Sequence, residues 1–202
     1  PIVLARGLKD EAITVLADEI PDGPEFPKSK ADPTLAAIRA ELEALASADY
    51  EPGDVVIYYH SGHGVTAPDD NPGAEPEPEA QGRDQVLLPR DAGRFMDDDF
   101  RIQNGLYDDE LGSYLNRIKA KGATVWVVID ACNSGGVTRG ADIAQVKGVE
   151  PEALGITAED FAKAGAAAEG SGTRGADRTG MVETRGVTGA GKIIGFYAVD
   201  SY

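Results

Sequence analysis

The sequence predicts a three-layer α/β fold in which a mainly parallel, doubly wound sheet is flanked by helices. Short apolar runs rich in β-branched residues, typical of buried strands, alternate along the chain with segments of helical periodicity. The two clearest runs, over residues 55–58 and 124–129, are each followed closely by small and polar residues, as at the strand ends of an open sheet. The 202 residues suffice for one such domain with a sizeable core.

The part of the chain before these runs is predicted to form a strand, a loop and a helix. The strand is expected over 12–17 and the loop over 21–30, where proline and charged residues are frequent. Asp32 is the predicted N-cap of the helix, with Pro33 in its first turn. Four apolar residues at helical spacing extend this helix to about residue 47: Leu35, Ile38, Leu42 and Leu45.

Three shorter segments separate the two main strands, which are expected over 54–60 and 124–130. Residues 65–82 are acidic and proline-rich and are predicted to form a surface loop. A short strand is expected over 85–89, followed by a polar loop over 91–106. The first strand therefore leads into a largely irregular region.

Asp108 is the predicted N-cap of a second helix, which ends at Lys121-Gly122. Its apolar face carries four side chains at helical spacing: Leu111, Tyr114, Leu115 and Ile118. Glycine, alanine, threonine and charged residues dominate 136–191, which is therefore predicted to be a mobile linker. Only 151–168 has a weak helical pattern there. A final strand is expected over 192–199.

Composition excludes several classes of function. The formal net charge of −16 argues against nucleic-acid binding and against adhesion to anionic membranes, whereas an acidic surface suits basic substrates. The single cysteine excludes an internal disulfide and a multi-cysteine zinc site, and no apolar run is long enough to span a bilayer. No signal peptide is recognisable, but the chain begins at Pro1 rather than Met, so the cytoplasm is only the default expectation.

The residues after the two main strands indicate nucleophilic chemistry. His60 and His63, the only histidines, come at the end of the first strand, and Cys132, the only cysteine, follows the second. A cysteine nucleophile needs a nearby base, which is usually a histidine, and the carboxyl ends of parallel strands meet at one edge of a sheet. The alternatives are a small core cysteine with polar surface histidines, or a poor metal site formed by the three side chains.

The two motifs together, His60-Ser61-Gly62-His63-Gly64 and Asp130-Ala131-Cys132-Asn133-Ser134-Gly135, resemble those of the caspase-like cysteine peptidases, above all the metacaspase branch. The resemblance implies a caspase-like sandwich in a single peptidase domain. In it, 1–135 corresponds to the large fragment, 136–191 to the linker, and 192–202 to the start of the small fragment. It also implies that the first strand of the sheet precedes residue 1.

The resemblance implies a role for each matching residue. His63 corresponds to the catalytic base and Cys132 to the nucleophile, and the backbone amides of Gly64 and Cys132 correspond to the oxyanion hole. Asp130 and Ser61 correspond to residues of the pocket that receives an Arg or Lys side chain at P1, the residue whose carbonyl is attacked. A turn-forming cap is the alternative role for Asp130.

Two regulatory features are implied in the same way. Asp91, Asp108 and Asp109 correspond to acidic residues that bind an activating calcium ion in many metacaspases, although Asp108 and Asp109 also suit a helix N-terminus without any ion. Self-cleavage is expected in the linker, for which an uncleaved flexible connection is the alternative. The candidate sites are three arginines with small neighbours: Arg174, Arg178 and Arg185.

The expected function is therefore that of a cysteine endopeptidase that cleaves polypeptides after Arg or Lys. The chemistry requires no cofactor, and calcium is a candidate activator. Polypeptides with basic P1 residues are the expected partners, whereas nucleic acids and membranes are not. The alternatives are a peptidase that cleaves after Asp and a catalytically silent regulatory or scaffold domain.

Overall fold

The computed structural model describes residues 9–20, 23, 28–69, 83–131, 148–170 and 191–197. The helices in this part are α1 (Leu35–Ser47), α2 (Asp108–Ala120) and α3 (Ala158–Gly170), with 3₁₀ turns at Asp10–Ala12 and Pro151–Leu154. The strands are β1 (Val55–Ser61), β2 (His63–Pro68), β3 (Arg83–Leu88), β4 (Phe95–Met96), β5 (Arg101–Ile102), β6 (Leu106–Tyr107), β7 (Thr124–Asp130) and β8 (Ile193–Tyr197). No helix in the described ranges is long and apolar enough to cross a membrane.

A parallel sheet with the strand order β1-β7-β8 lies at the centre of the fold. Successive side chains of a strand point to opposite faces, and burial alternates accordingly along β1. Helices α1 and α2 pack on one face and form a core with it, which includes Leu42, Leu115, Val125 and Val127. The predicted α/β class, with a parallel central sheet flanked by helices, is confirmed.

The opposite face of this sheet carries large apolar side chains that are exposed in the described structure. On β1, Val55, Ile57 and Tyr59 are 55%, 45% and 63% exposed. Trp126 of β7 and Ile194 of β8 are 43% and 38% exposed. This apolar face therefore contrasts with the face under α1 and α2, where Val125 and Val127 have no exposed surface.

An antiparallel sheet with the order β2-β3-β6 continues from the end of β1 and carries a second core. Helix α3 and the turn Pro151–Leu154 pack against it, and Ile156 between them is 1% exposed. The hairpin β4-β5 joins this core through Phe95, whose ring meets that of Phe100 edge to face at 5.4 Å. The chain thus leaves the parallel sheet immediately after β1.

Helix α1 begins later than its sequence predicts. Thr34 is the N-cap, and its hydroxyl oxygen accepts a hydrogen bond from the amide of Ala37 at 3.2 Å. Asp32, the predicted cap, instead pairs with Arg90 at 2.7 Å. The prediction is wrong because a distant arginine binds this carboxylate, while a second capping side chain stands two residues further along the chain.

Helix α2 ends as predicted and begins differently. Its C-cap is Lys121, followed by Gly122 in a left-handed conformation (φ 101°) that glycine adopts without strain. Its N-cap is Tyr107, which makes no side-chain capping bond, so Asp108 is the first helical residue and not the predicted cap. The acidic first turn still complements the helix dipole.

Two arginine–glutamate pairs connect α1 with α2. Arg39 of α1 donates to Glu110 of α2, and Arg117 of α2 donates to both carboxylate oxygens of Glu43 of α1 at 2.6 and 2.7 Å. Each helix supplies one arginine and one glutamate, so the two exposed pairs bridge the helices beside their shared apolar core.

Several predicted segments differ from the structure. The strand expected over 12–17 is wrong, since only Leu16 forms a bridge, to Ala31. The surface loop expected over 65–82 contains the buried end of β2, and the polar loop over 91–106 contains the hairpin β4-β5. These strands are short or lack the β-branched runs of β1 and β7, so local patterns did not show them.

The segment after the cysteine motif also differs in part from its prediction as a mobile linker. Ile156 belongs to the second core, with Leu154 and Phe161 packed against it, and the weak helical pattern over 151–168 corresponds to a 3₁₀ turn followed by α3. The remaining strands and helix ends agree with the sequence patterns within a few residues. The division into fragment-like parts at 135 and 191 is not tested by these elements and stays a prediction.

Candidate active site

The carboxyl ends of β1 and β7 are held together by side-chain and backbone contacts. Ser61 and Asp130 form the last residue pair of the parallel register. The Ser61 hydroxyl lies 3.2 Å from Oδ2 of Asp130 and donates to it. The amide of Gly62 donates to the carbonyl of Asp130 at 3.3 Å. The histidine motif and the first residue of the cysteine motif therefore meet at one edge of the sheet.

His63 lies directly after this contact and begins β2. It is exposed, and its register partner is Leu88 of β3. Only Gly62 lies between β1 and β2. Because β2 belongs to the antiparallel sheet, the imidazole stands where the chain passes from one sheet to the other.

Gly64 brings a later part of the chain to the site. It is buried, and its carbonyl accepts a hydrogen bond from the amide of Val149 at 2.9 Å, next to a bridge between Gly64 and Gly148. The chain thus returns to the histidine strand after the cysteine motif. Sequence reasoning missed this contact, because a backbone hydrogen bond between distant segments leaves no local pattern in the sequence.

His60 occupies a different position from His63. Its ring is half-buried and lies against Gly62, where an added Cβ would be 3.1 Å from Nε2. A side chain at position 62 would crowd this ring, so glycine allows the close approach. Its neighbour Tyr58 packs against the core on the same face, and burial raises the pKa of its phenol, which stays protonated.

Cys132 lies outside the described residues, which end at Ala131 in this part of the chain. Ala131 is 3% exposed, so the chain is still packed one residue before the cysteine. The cysteine follows Asp130 by two residues, and His63 follows Ser61 by two. The pairing of thiol and imidazole itself stays a prediction.

The predicted calcium ligands are not grouped. Among the described residues, no three His, Cys, Asp or Glu side chains lie close enough to hold a metal ion. Asp91 instead accepts from the amide of Leu35 at 2.8 Å, at the start of α1. Asp108 accepts from the amide of Gln85 at 3.2 Å, and Asp109 lies in the first turn of α2. Asp91 and Asp108 therefore accept backbone hydrogen bonds, and calcium binding by the three carboxylates stays a prediction.

The predicted self-cleavage sites Arg174, Arg178 and Arg185 lie outside the described residues. The described chain reaches Gly170 at the end of α3 and continues at Gly191. Self-cleavage consequently stays a prediction from the sequence.

Comparison with known proteins gives consistent similarities. The caspase domain family matches residues 25–196, a range that contains both motifs. Metacaspase-9 of Arabidopsis thaliana is 33% identical over 137 residues, which are 67% of this chain and 35% of that protein. Metacaspase-1 of Cryptococcus neoformans is 28% identical over 188 residues, which are 92% of this chain and 35% of that protein. The chain spans about a third of the length of these relatives.

Proposed function

This chain belongs to the caspase domain family, in its metacaspase branch, and on this premise we propose that it is a cysteine endopeptidase with Cys132 as nucleophile and His63 as base. The observation that carries the proposal is the contact between the two strand ends. Ser61 and Gly62, the two residues before His63, both form hydrogen bonds with Asp130. Asp130 in turn lies two residues before Cys132. These hydrogen bonds link the end of the histidine strand to the end of the cysteine strand.

The proposed reaction uses the two side chains in sequence. The thiolate of Cys132 attacks the peptide carbonyl carbon, and the resulting oxyanion is stabilised by the amides of Gly64 and Cys132. Protonated His63 donates its proton to the leaving amine, which leaves a thioester on Cys132. His63, now neutral, accepts a proton from a water molecule as the water oxygen attacks the thioester carbonyl; the carbon–sulfur bond breaks, the carboxylic acid is released, and the thiolate of Cys132 and protonated His63 are regenerated.

We further propose that the substrate carries Arg or Lys at P1. The carboxylate of Asp130 is half-buried and bonded to Ser61, so it is a fixed negative charge at the edge of the sheet. A cation at P1 neutralises this charge, whereas any other P1 side chain would remove water from the carboxylate without supplying a positive charge to pair with it. The acidic chain, with a net charge of −16, also attracts basic polypeptides.

The test compares fluorogenic peptides that differ only at P1, as Arg, Lys or Asp, each with calcium and with a chelator. Turnover of the Arg and Lys peptides that is lost in Cys132→Ala and in His63→Ala is the expected result. Turnover of the Asp peptide alone would contradict the role of Asp130. No turnover of any peptide, in either condition, would favour the catalytically silent domain.

Calcium activation and self-cleavage are separate proposals with separate measurements. A rise in turnover with calcium that Asp91→Asn or Asp108→Asn abolishes would support a regulatory ion, although the described carboxylates are not grouped for one.

For self-cleavage, the intact masses of the wild type and Cys132→Ala are compared. Fragments that end at Arg174, Arg178 or Arg185 only in the wild type are expected, and equal fragmentation of both would exclude it.

A further inference from the structure

The residue pair next to Ser61 and Asp130 carries an aromatic side chain on the same face of the sheet. In the parallel register Tyr59 lies opposite Val128, two residues before Ser61 and Asp130 in their respective strands. Side chains two residues apart point to the same face and are about 7 Å apart along the strand. Tyr59 therefore lies diagonally across from Asp130 on the same face of the sheet, at a separation that an aromatic or a long side chain can bridge.

Burial supports this placement. Tyr59 is 63% exposed, whereas Val56 of the same strand, under the helices, is 8% exposed. Ser61 is exposed on the same face of the sheet as Tyr59. Asp130, the register partner of Ser61 on β7, lies on this face too and is half-buried. The carboxylate thus stands at the end of an accessible apolar strip and not within the helix-covered core.

A basic side chain that reaches Asp130 has to place its alkyl stem or its cationic group near this strip. Arginine and lysine bury their stems on apolar surface while the charge pairs with a carboxylate. The two residues differ at an aromatic ring, because the planar, weakly hydrated guanidinium stacks on the ring more readily than the compact ammonium does. An aromatic neighbour of Asp130 therefore favours arginine.

We propose that Tyr59 is a specificity-determining residue that lines the P1 pocket beneath Asp130 and makes the peptidase prefer Arg over Lys. This inference rests on the proposed function, since it assumes that a basic P1 side chain pairs with Asp130. The preference for Arg over Lys is assigned to the aromatic ring of Tyr59, so the phenolic hydroxyl is not required for it.

The experiment measures kcat/KM for two peptides that differ only in Arg or Lys at P1. Tyr59→Phe keeps the ring and is expected to keep the wild-type Arg-to-Lys ratio. Tyr59→Leu keeps an apolar side chain without a ring and is expected to lower the ratio roughly three- to ten-fold. Ile57→Leu changes the next residue of the same face, farther from Asp130, and is the matched control with an unchanged ratio.

Because the readout is a ratio, a general loss of folded protein affects both peptides alike and cancels. A wild type that cleaves both peptides, with the same ratio in Tyr59→Leu, would overturn the role of Tyr59 and leave the proposed function intact. A ratio that falls equally in Ile57→Leu would also overturn it, since the effect would then not depend on proximity to Asp130. A wild type that cleaves neither peptide would overturn the proposed function and this inference with it.

Discussion

At the scale of single residues, Asp130 has two separable roles in the structure. Its backbone carbonyl binds the amide of Gly62 and its carboxylate binds the hydroxyl of Ser61. The backbone contact holds the strand ends together whatever side chain stands at 130. The carboxylate alone supplies the negative charge that the proposed substrate recognition requires.

Replacing Asp130 by Asn should therefore remove recognition of the cation and leave the fold intact. For a peptide with Arg at P1, kcat/KM is expected to fall by about 100-fold or more, because the substrate cation loses its charged partner. Asp98→Asn, which changes an exposed carboxylate in the turn between β4 and β5, is the control and should have no effect. An unchanged kcat/KM in Asp130→Asn, with a normal circular dichroism spectrum, would contradict the proposed pocket.

At the scale of elements, the start of α1 depends on a residue that differs from the predicted one. The Thr34 hydroxyl binds the first turn, whereas Asp32 forms an exposed ion pair with Arg90. Capping satisfies a backbone amide that has no partner within the helix, whereas an exposed ion pair is largely screened by water.

Thr34→Ala should lower the free energy of unfolding by about 1 kcal/mol, because it leaves an amide of the first turn without its capping oxygen. Asp32→Ala should lower it by less, about 0.5 kcal/mol at most. Urea unfolding of the two variants and the wild type measures both effects. A larger loss in Asp32→Ala would show that the sequence-based cap is the effective one.

The pairing of α1 with α2 should depend on pH. Hydrogen bonds from Arg117 and then Ser47 lower the pKa of Glu43 to about 2 in the folded chain. In the unfolded chain a glutamate titrates near pH 4.3, so this contribution to stability is present above that pH and is lost as the pH falls towards 2. The effect is modest because the pair is exposed.

Urea midpoints measured between about pH 5 and pH 2.5 should consequently fall less steeply in Glu43→Gln than in the wild type. Glu152→Gln, an exposed carboxylate in the 3₁₀ turn at Pro151–Leu154, is the control that should retain the wild-type slope. Identical slopes for all three proteins would show that the Arg117 pair does not act in solution.

At the scale of the whole molecule, the two faces of the parallel sheet have different surroundings. One face is covered by α1 and α2, and the other exposes Val55, Ile57, Tyr59, Trp126 and Ile194. Parallel sheets in α/β proteins are usually covered on both faces. Ser61 and Asp130 lie on the same face as these exposed apolar side chains. A segment that covered this face would therefore also change the access of substrate to the proposed P1 pocket.

Trp126 reports on this face directly, because it is the only tryptophan of the chain and is 43% exposed. Its fluorescence should be quenched by acrylamide to an intermediate extent, more than that of a buried tryptophan and less than that of the fully exposed N-acetyltryptophanamide. Trp126→Phe, which removes the signal, is the control for the assignment. Quenching as weak as that of a fully buried tryptophan would mean that this face is covered in solution.

The sequence by itself determined the elements with strong local patterns and the identity of the candidate catalytic residues. The β-branched runs predicted β1 and β7, the helical spacing predicted α1 and α2, and the motifs around His63 and Cys132 indicated the family. Each of these signals lies within a stretch of a few residues, where periodicity and side-chain type act directly on the backbone.

Only the tertiary structure decided which distant residues meet. It placed Thr34 and not Asp32 at the start of α1, joined the Asp91 carboxylate to the amide of Leu35, and brought Ser61 to Asp130. It also turned the predicted loop after His63 into a buried strand. Register, capping and side-chain pairing depend on which segments pack together, and no local pattern contains that choice.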